Sequence, residues 1–309
     1  MQIYDLSDKE RGICLTEEKP ESPVMVLGFF DGVHRGHKAL INASKEYARW
    51  MKAPVCVWTF PTMPKAERVI TTPEERLGAL AGIGIQAAVF EDFDEVRGLT
   101  PDEFFEEYLV KTFAPRAVYC GFNFRYGKDA AGSADTLRSS AAKHGIPVFV
   151  LPPYEAGGEL LSSSRIRGLI RDGAVDEAAH LLTRPYSVTA EIIHGREIGR
   201  GIGYPTLNQR IPGEKIVPAY GAYAAAVSVG GKTYRGVSNI GFRPTVNDDC
   251  GDVTLETHVI GYDGDAYGER ATVSLLKMLR TEMKFPSADA LAEQIGRDIA
   301  AAEEYFAKS

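Results

Sequence analysis

Gly28-Phe29-Phe30-Asp31-Gly32-Val33-His34-Arg35-Gly36-His37 lies between a short apolar run, Pro23-Val-Met-Val-Leu27, and a segment whose Leu40, Ile41, Tyr47 and Trp50 recur at spacings suited to one helical face. The run reads as a buried parallel strand and the segment as an amphipathic helix. A strand, a glycine-bearing turn and a helix start make a phosphate-binding layout. Glycine lets the backbone turn tightly and approach a ligand, and the first N–H groups of a helix carry partial positive charge. His34 and His37 stand three apart at that helix start, so they point the same way. With an ordinary pKa of about 6.5, both are partly protonated near neutrality, and a neighbouring polyphosphate raises that fraction. Two such rings suit stabilising a departing pyrophosphate; a metal pair or a turn filler is the alternative reading.

Working outward, four more runs read as strands: Pro54-Val-Cys-Val-Trp-Thr59, Gln86-Ala-Ala-Val-Phe90, Arg116-Ala-Val-Tyr-Cys120 and Ile146-Pro-Val-Phe-Val-Leu151. Between them, Thr72-Pro73-Glu74-Glu75 and Thr100-Pro101-Asp102-Glu103 each carry a cap, a proline at the first helical position and first-turn acids, so both predict helix starts. Five strands alternating with helices predict a mostly parallel, doubly wound sheet, with ligands outside the carboxyl ends of its strands near the switch point. Gly121-Phe122-Asn123-Phe124-Arg125-Tyr126-Gly127-Lys128 follows the fourth strand at such an end. It suits a nucleotide, or else a polar connection with its aromatics in the core. Leu161-Ser162-Ser163-Ser164-Arg165-Ile166-Arg167 opens a further helix with hydroxyls and forked cations, a donor set fit for a triphosphate or for an ordinary serine cap.

Around Thr183-Arg-Pro-Tyr186 the pattern changes to strand after strand, which puts the domain boundary at 185/186. Ser187 to Ile193, Gly221 to Val229, Thr233 to Ile240, Asp252 to Ile260 and Arg270 to Met278 predict a small antiparallel barrel, with turns such as Gly230-Gly231 and Asp263-Gly264. A terminal helix with Leu291, Ile295, Ile299 and Phe306 on one stripe should pack on it. Gly199-Arg200-Gly201-Ile202-Gly203-Tyr204-Pro205-Thr206-Leu207-Asn208 reads as a loop folding over phosphates, where Thr206 and Asn208 offer neutral oxygens to Mg²⁺. Glu256, in Leu255-Glu256-Thr257-His258, is the candidate carboxylate for accepting a hydroxyl proton; an exposed strand face could equally carry it.

Composition bounds the rest. With 309 residues the chain is long enough for two cores, and a net charge of −7 argues against general nucleic-acid binding. Cys14, Cys56, Cys120 and Cys250 are scattered with no C-x-x-C pair, which disfavours a disulfide frame or zinc site. No apolar run approaches a membrane span and the start lacks a leader pattern, so a cytoplasmic protein without membrane or obligate protein partner is expected.

F-D-G-V-H-x-G-H resembles the signature of the nucleotidyltransferase superfamily, and its flanks resemble the flavin branch, the bifunctional bacterial riboflavin kinase/FAD synthetases. Residues 121–128 are similar to that family's G-x-N-F-x-F-G-K segment, although Asp129-Ala-Ala-Gly-Ser133 lacks the basic residues that often follow. Residues 161–167 resemble I-S-S-T-R-I-R, with Ser164 where threonine is usual. Residues 199–208 look like G-R-x-L-G-F-P-T-A-N, 239–245 like N-I-G-x-R-P-T, and Glu256 to His258 like E-x-H. The resemblance covers nearly the whole chain. It implies a Rossmann-like FMN adenylyltransferase domain over 1–185 and a riboflavin kinase barrel over 186–309. ATP and Mg²⁺ would serve both steps, riboflavin giving FMN and FMN giving FAD. It places nucleotide on Gly28, Phe29, Phe30, Asp31, Gly32, His34, His37, Asn123, Ser163, Ser164 and Arg165, and on Gly199, Arg200, Gly203, Pro205, Thr206 and Asn208. Mg²⁺ falls on Thr206 and Asn208, and catalysis on His34, His37 and Glu256. The rivals are a kinase whose first domain is inactive or differently specific, and a non-catalytic flavin-binding regulator.

Overall fold

The computed structural model describes residues 2–5, 14–16, 19–62, 68–195, 198–201, 203–243 and 252–308. By its contacts the chain divides into two compact units, Met1–Ser163 and Ser164–Ser309.

The first unit runs β1 (Gln2–Asp5), β2 (Cys14–Thr16), β3 (Val24–Leu27), α1 (Arg35–Met51), β4 (Val55–Thr59), α2 (Pro73–Gly82), β5 (Ala87–Phe90), α3 (Phe93–Val96), α4 (Pro101–Glu103), α5 (Lys111–Phe113), β6 (Ala117–Gly121), β7 (Arg125–Tyr126), β8 (Gly132–Ser133), α6 (Ala134–Ala142), β9 (Val148–Leu151), β10 (Glu155–Ala156) and β11 (Glu159–Leu160). A π-helical stretch, Phe104–Val110, joins α4 to α5. The main sheet has the order β2-β1-β5-β4-β3-β6-β9. Five consecutive members, β5-β4-β3-β6-β9, are the five expected strands, all parallel. The β1–β2 pair extends the sheet antiparallel on β5; it was not expected, because Gln2-Ile-Tyr-Asp5 lacks the continuous apolar run of a strand covered on both faces.

Alternation along β3 builds two cores, as a pleated strand requires. Met25 and Leu27 meet Trp58, Val118 and Phe104 on one face. Val24 and Val26 meet Ile41, Val57, Leu77 and Tyr119 on the other. Thr72 makes the expected capping box with Glu75, and Thr100 makes one with Glu103. Helix α1 buries Leu40, Ile41, Ser44 and Ala48, whereas Trp50 is 75% exposed. Trp50 therefore leaves the expected face; at about 100° per residue it lies half-way round the helix from Ile41. Cys56 and Cys120 are free and buried, and burial pushes the Cys56 thiol up to about 12. Cys250 and the Cys14 side chain lie outside the described residues.

The second unit comprises α7 (Ser163–Arg171), which starts at the last residue of the first, then α8 (Val175–Leu182), β12 (Tyr186–Glu191), α9 (Ile198–Gly201), β13 (Leu207–Arg210), β14 (Gly221–Val229), β15 (Lys232–Arg243), β16 (Asp252–Val259), β17 (Arg270–Thr281) and α10 (Ala288–Lys308). The sheet order is β12-β17-β14-β15-β16-β13. A bridge between Ile193 and Asn208 brings its two ends together into a nearly closed barrel. The buried Gln209 amide seals that seam, donating to Ala190 O at 2.7 Å and Ala271 O at 2.9 Å. Strand β13 falls where a loop was expected. Its Asn208 and Gln209 are buried polar residues bonded to backbone, so it lacks the apolar alternation that marks a strand.

Helix α10 docks through Ala302 on Ala224 and Val237, with Ile299 and Phe306 beside it; Leu291 and Ile295 are half-buried. Arg280 donates through Nε and Nη2 to the buried Asp298 carboxylate at 3.0 and 2.9 Å and fastens the helix to β17. Helix α8 packs on β17 and β12, so by contacts α7 and α8 go with the barrel. The boundary read at 185/186 marks a different event, the point at which strand begins to follow strand.

Candidate active sites

In the first unit, β3 and β6 are parallel neighbours with Leu27 opposite Cys120, and the chain leaves β3 toward β4 on its other side. The crevice at a switch point therefore opens where Gly28 and Gly121 begin their loops. The 28–34 loop is strained: Phe30 has φ +55°, Gly32 +81° and Val33 +43°. A β-branched residue there is a true outlier, held only because its surroundings over-determine it. Asp31 is one reason. Its buried carboxylate accepts from the N–H groups of Ile70 (2.9 Å) and Thr71 (3.1 Å), and the Thr71 hydroxyl accepts from Gly32 N at 3.1 Å. Asp31 thus builds the loop with its side chain.

The strained turn delivers His34 as the N-cap of α1. Its Nδ1 accepts from His37 N at 3.3 Å, which puts the ring proton on Nε2. The two imidazoles stack with centroids 3.6 Å apart and planes within 16°, and Phe30 meets the His37 ring edge-on at 5.2 Å. A Cβ at Gly36 would sit 3.2 Å from the His34 ring and 3.3 Å from Tyr154, so glycine gives the ring its place. Ser163 Oγ donates to Asp31 O at 3.0 Å, which brings the serine-rich segment to the histidine loop. Asn123 is exposed in the turn after β6, with its Oδ1 near Gly121. Beyond it Phe124 stacks on Tyr126, and Gly127 fits against Pro101, where a Cβ would meet the Pro101 nitrogen at 2.9 Å.

Arg76 was missed in the sequence, where an arginine in a helix reads as solvated. It is fully buried behind the loop. Its guanidinium lies over the Phe29 ring at 4.3 Å and donates to Thr59 Oγ1, Phe60 O and Thr71 O, while Thr59 in turn donates to Phe29 O at 2.8 Å. Burial pulls its pKa down to about 10, and the Asp31 carboxylate pulls the other way. The signal available was its place between Thr72 and Leu80 on the buried face of α2.

In the second unit, Ser164 and Arg165 open α7, and Arg167, which is buried, donates to Ser164 Oγ at 3.0 Å. The glycine-rich stretch forms α9 and a turn in which Tyr204 N donates to Gly199 O at 2.7 Å. A Cβ at Gly199 would lie 2.3 Å from Tyr204 O, so no side chain fits there, and Gly203 takes φ +87°. The Arg200 side chain and Ile202 lie outside the described residues. Pro205 O accepts from His258 Nδ1 at 2.9 Å, which ties this stretch to β16. Asn208 Nδ2 donates to Thr206 O and to Thr206 Oγ1 at 3.2 and 3.4 Å.

Register then brings the candidates together. Asn208 pairs with Glu256, and Glu256 pairs with Asn239 on its other side. Directly opposed residues share a face, so these three form one row across β13, β16 and β15. A cavity of about 170 Å³ lies beside the row's end, lined by Pro205, Thr206, Asn208, Tyr262 and Tyr267. Of the 239–245 motif, Pro244, Thr245 and the Arg243 side chain lie outside the described residues.

Among the described residues no helix is long and apolar enough to cross a membrane, and no cluster of three or more His, Cys, Asp or Glu could hold a metal. The FAD synthetase family model matches residues 16–165 and the riboflavin kinase family model residues 182–306. The bifunctional riboflavin kinase/FMN adenylyltransferase of Pseudomonas fluorescens is 33% identical, covering 97% of this chain and 98% of its own. Its Escherichia coli K12 counterpart is 34% identical over 96% and 97%. A crystal structure described as a macrolide-efflux protein from Streptococcus pneumoniae superposes with a TM-score of 0.84 at 31% identity, covering 93% of this chain and 95% of that one. Two units with the expected sheets, two separately built sites and full-length relatives at this identity lead to one conclusion: the chain belongs to the bifunctional riboflavin kinase/FMN adenylyltransferase family.

Proposed function

We propose that this chain phosphorylates riboflavin to FMN with ATP and then adenylylates FMN with a second ATP, giving FAD and pyrophosphate. The observation that carries the reading is that the kinase and FAD synthetase models fall on different stretches, each with its own built site. The functional domains are 1–185 and 186–309, and the protein works in the cytoplasm.

In the first site the attacking group is the phosphate of FMN, already ionised near neutrality, so no base is needed. Its oxygen bonds the α-phosphorus of ATP, the bond to the bridging oxygen breaks and pyrophosphate leaves. His34 carries its ring proton on Nε2 while its Nδ1 accepts from the helix start. Together with His37 it stabilises the charge gathering on the leaving group. Gly28 to Gly32 supply close backbone approach, and Asn123, Ser163, Ser164 and Arg165 supply donors to the phosphates.

In the second site the nucleophile carries a proton. Glu256 accepts it as a ribityl hydroxyl oxygen bonds the γ-phosphorus and the β–γ bridging bond breaks, releasing ADP. Residues 199–205 cover the phosphates. Thr206 and Asn208, held together by the Asn208 amide, form a neutral oxygen pair fit for Mg²⁺, which takes few protein ligands beside phosphate oxygens and water. When bound, the ion neutralises phosphate charge. One experiment tests the whole: ATP-dependent turnover of riboflavin with FMN and FAD resolved. FMN without FAD reduces the chain to a kinase, and neither product makes it a binding protein.

A further inference from the structure

The Asn239-Ile240-Gly241 motif takes no part in the chemistry above, yet its register puts it at the centre of the second site. Residues 208, 256 and 239 lie on the outer face of the barrel, because their neighbours Gln209, Leu255, Ile240, Ser238 and Thr257 are buried on the other face. Most of that outer face is covered. Val237, two residues before Asn239, lies under Ala302 of α10, and Asn208 lies under Gly195, where a Cβ would meet its amide at 2.5 Å. Between these covers, Glu256 and Asn239 remain half-buried side by side. Beside them Gly241 has no side chain. A Cβ built there would lie 3.5 Å from Asn239 Nδ2 and 3.2 Å from Glu282 Oε1, so the Asn239 amide nitrogen overlooks a notch in the sheet.

We infer that Asn239 is a substrate-orienting residue of the kinase reaction, its amide N–H donating to the hydroxyl-bearing chain of the acceptor while Glu256 takes the reacting proton. This rests on the kinase reading of the site. The chemistry calls for such a donor: a hydroxyl that gives its proton to a carboxylate is free to rotate about that bond, and a second hydrogen bond to its oxygen aims the remaining lone pair at phosphorus. Asparagine supplies a donor without a charge that would compete with Glu256.

The test uses the full-length protein. Asn239→Ala lowers kcat/KM for riboflavin about ten- to a hundredfold, the range for losing one hydrogen bond at a reacting group, with KM for ATP unchanged. FAD formation from supplied FMN stays at the parent rate and reports that the chain is folded. Because the lost bond aims the reacting oxygen, the loss falls on kcat, with KM for riboflavin little changed. An asparagine that only shaped the pocket would raise KM for riboflavin instead. A riboflavin kcat/KM within about twofold of the parent in Asn239→Ala overturns the inference, as does a loss carried wholly by KM for riboflavin or an equal loss of both activities. If the unaltered protein makes no FMN, the reading of the site fails; if it turns over normally and Asn239→Ala matches it, only the role of Asn239 fails.

Discussion

The two units hold their candidate site residues in different ways. In the first, His34 and His37 hang from a connection between a strand and a helix, and three consecutive-region residues with positive φ are locked there by Asp31, Thr71 and the buried Arg76. In the second, Asn208, Glu256 and Asn239 need no unusual backbone, because the hydrogen-bonded ladder of three strands sets them in line. The proposed chemistry follows the contrast. A reaction whose nucleophile is already an anion asks for donors and a helix start, which a loop supplies; one that must remove a proton asks for a carboxylate at a fixed distance, which a sheet supplies.

Reciprocal substitutions break or sharpen this comparison. Glu256→Gln is expected to cut riboflavin phosphorylation by roughly 10²- to 10⁴-fold, the usual span for a positioned base, while FAD synthesis from supplied FMN persists. A mutant that phosphorylates riboflavin normally would defeat the assignment. His34→Ala should do the converse, adding on the order of 3–4 kcal/mol to the adenylyl-transfer barrier and leaving the kinase step intact. Unchanged FAD formation in a steady-state assay refutes it.

The division of the chain comes next in size. Because α8 packs on β17 and β12, a fragment of residues 186–309 should unfold more easily in urea than one of residues 164–309. The deficit is at least the ~1.5–3 kcal/mol that burying Leu182 alone contributes. Equal midpoints would place the structural boundary at 185/186 as well.

The smallest effect concerns Lys277 on β17 and Asp176 on α8, 2.6 Å apart and both substantially exposed. Burial alone would raise the Asp176 carboxyl, but the hydrogen bond and charge of Lys277 hold it below its ordinary 3.8. The pair's stabilisation is fully present above that value and is lost as the pH falls from it through the lowered one. Solvent screening limits it, so Lys277→Ala should change the unfolding free energy by about 0.2–1 kcal/mol near neutrality and by nothing measurable at strongly acidic pH. A loss that persists in acid means packing rather than charge.

The parallel strands and both threonine caps were legible because their physics is local: continuous apolar runs for strands covered twice, and cap, proline and acid for helix starts. The histidine pair was legible for the same reason, with three glycines and two imidazoles in ten residues. What escaped depends on partners far along the chain. Arg76 resembles a surface residue until Thr59, Phe60 and Thr71 are folded around it, and β13 resembles a loop until Gln209 finds Ala190 and Ala271. The row through Glu256 was hidden likewise, since register between distant strands is not written in any one of them.

The bridge between Ile193 and Asn208 has a consequence for how this half tolerates change. The place where the cylinder is zipped shut is also where the candidate row begins at Asn208, so on the proposed reading fraying there would disarm the kinase site before the fold melted. A substitution that loosened the seam at Ile193, Asn208 or Gln209 would therefore announce itself as lost phosphorylation in a protein that still looks folded.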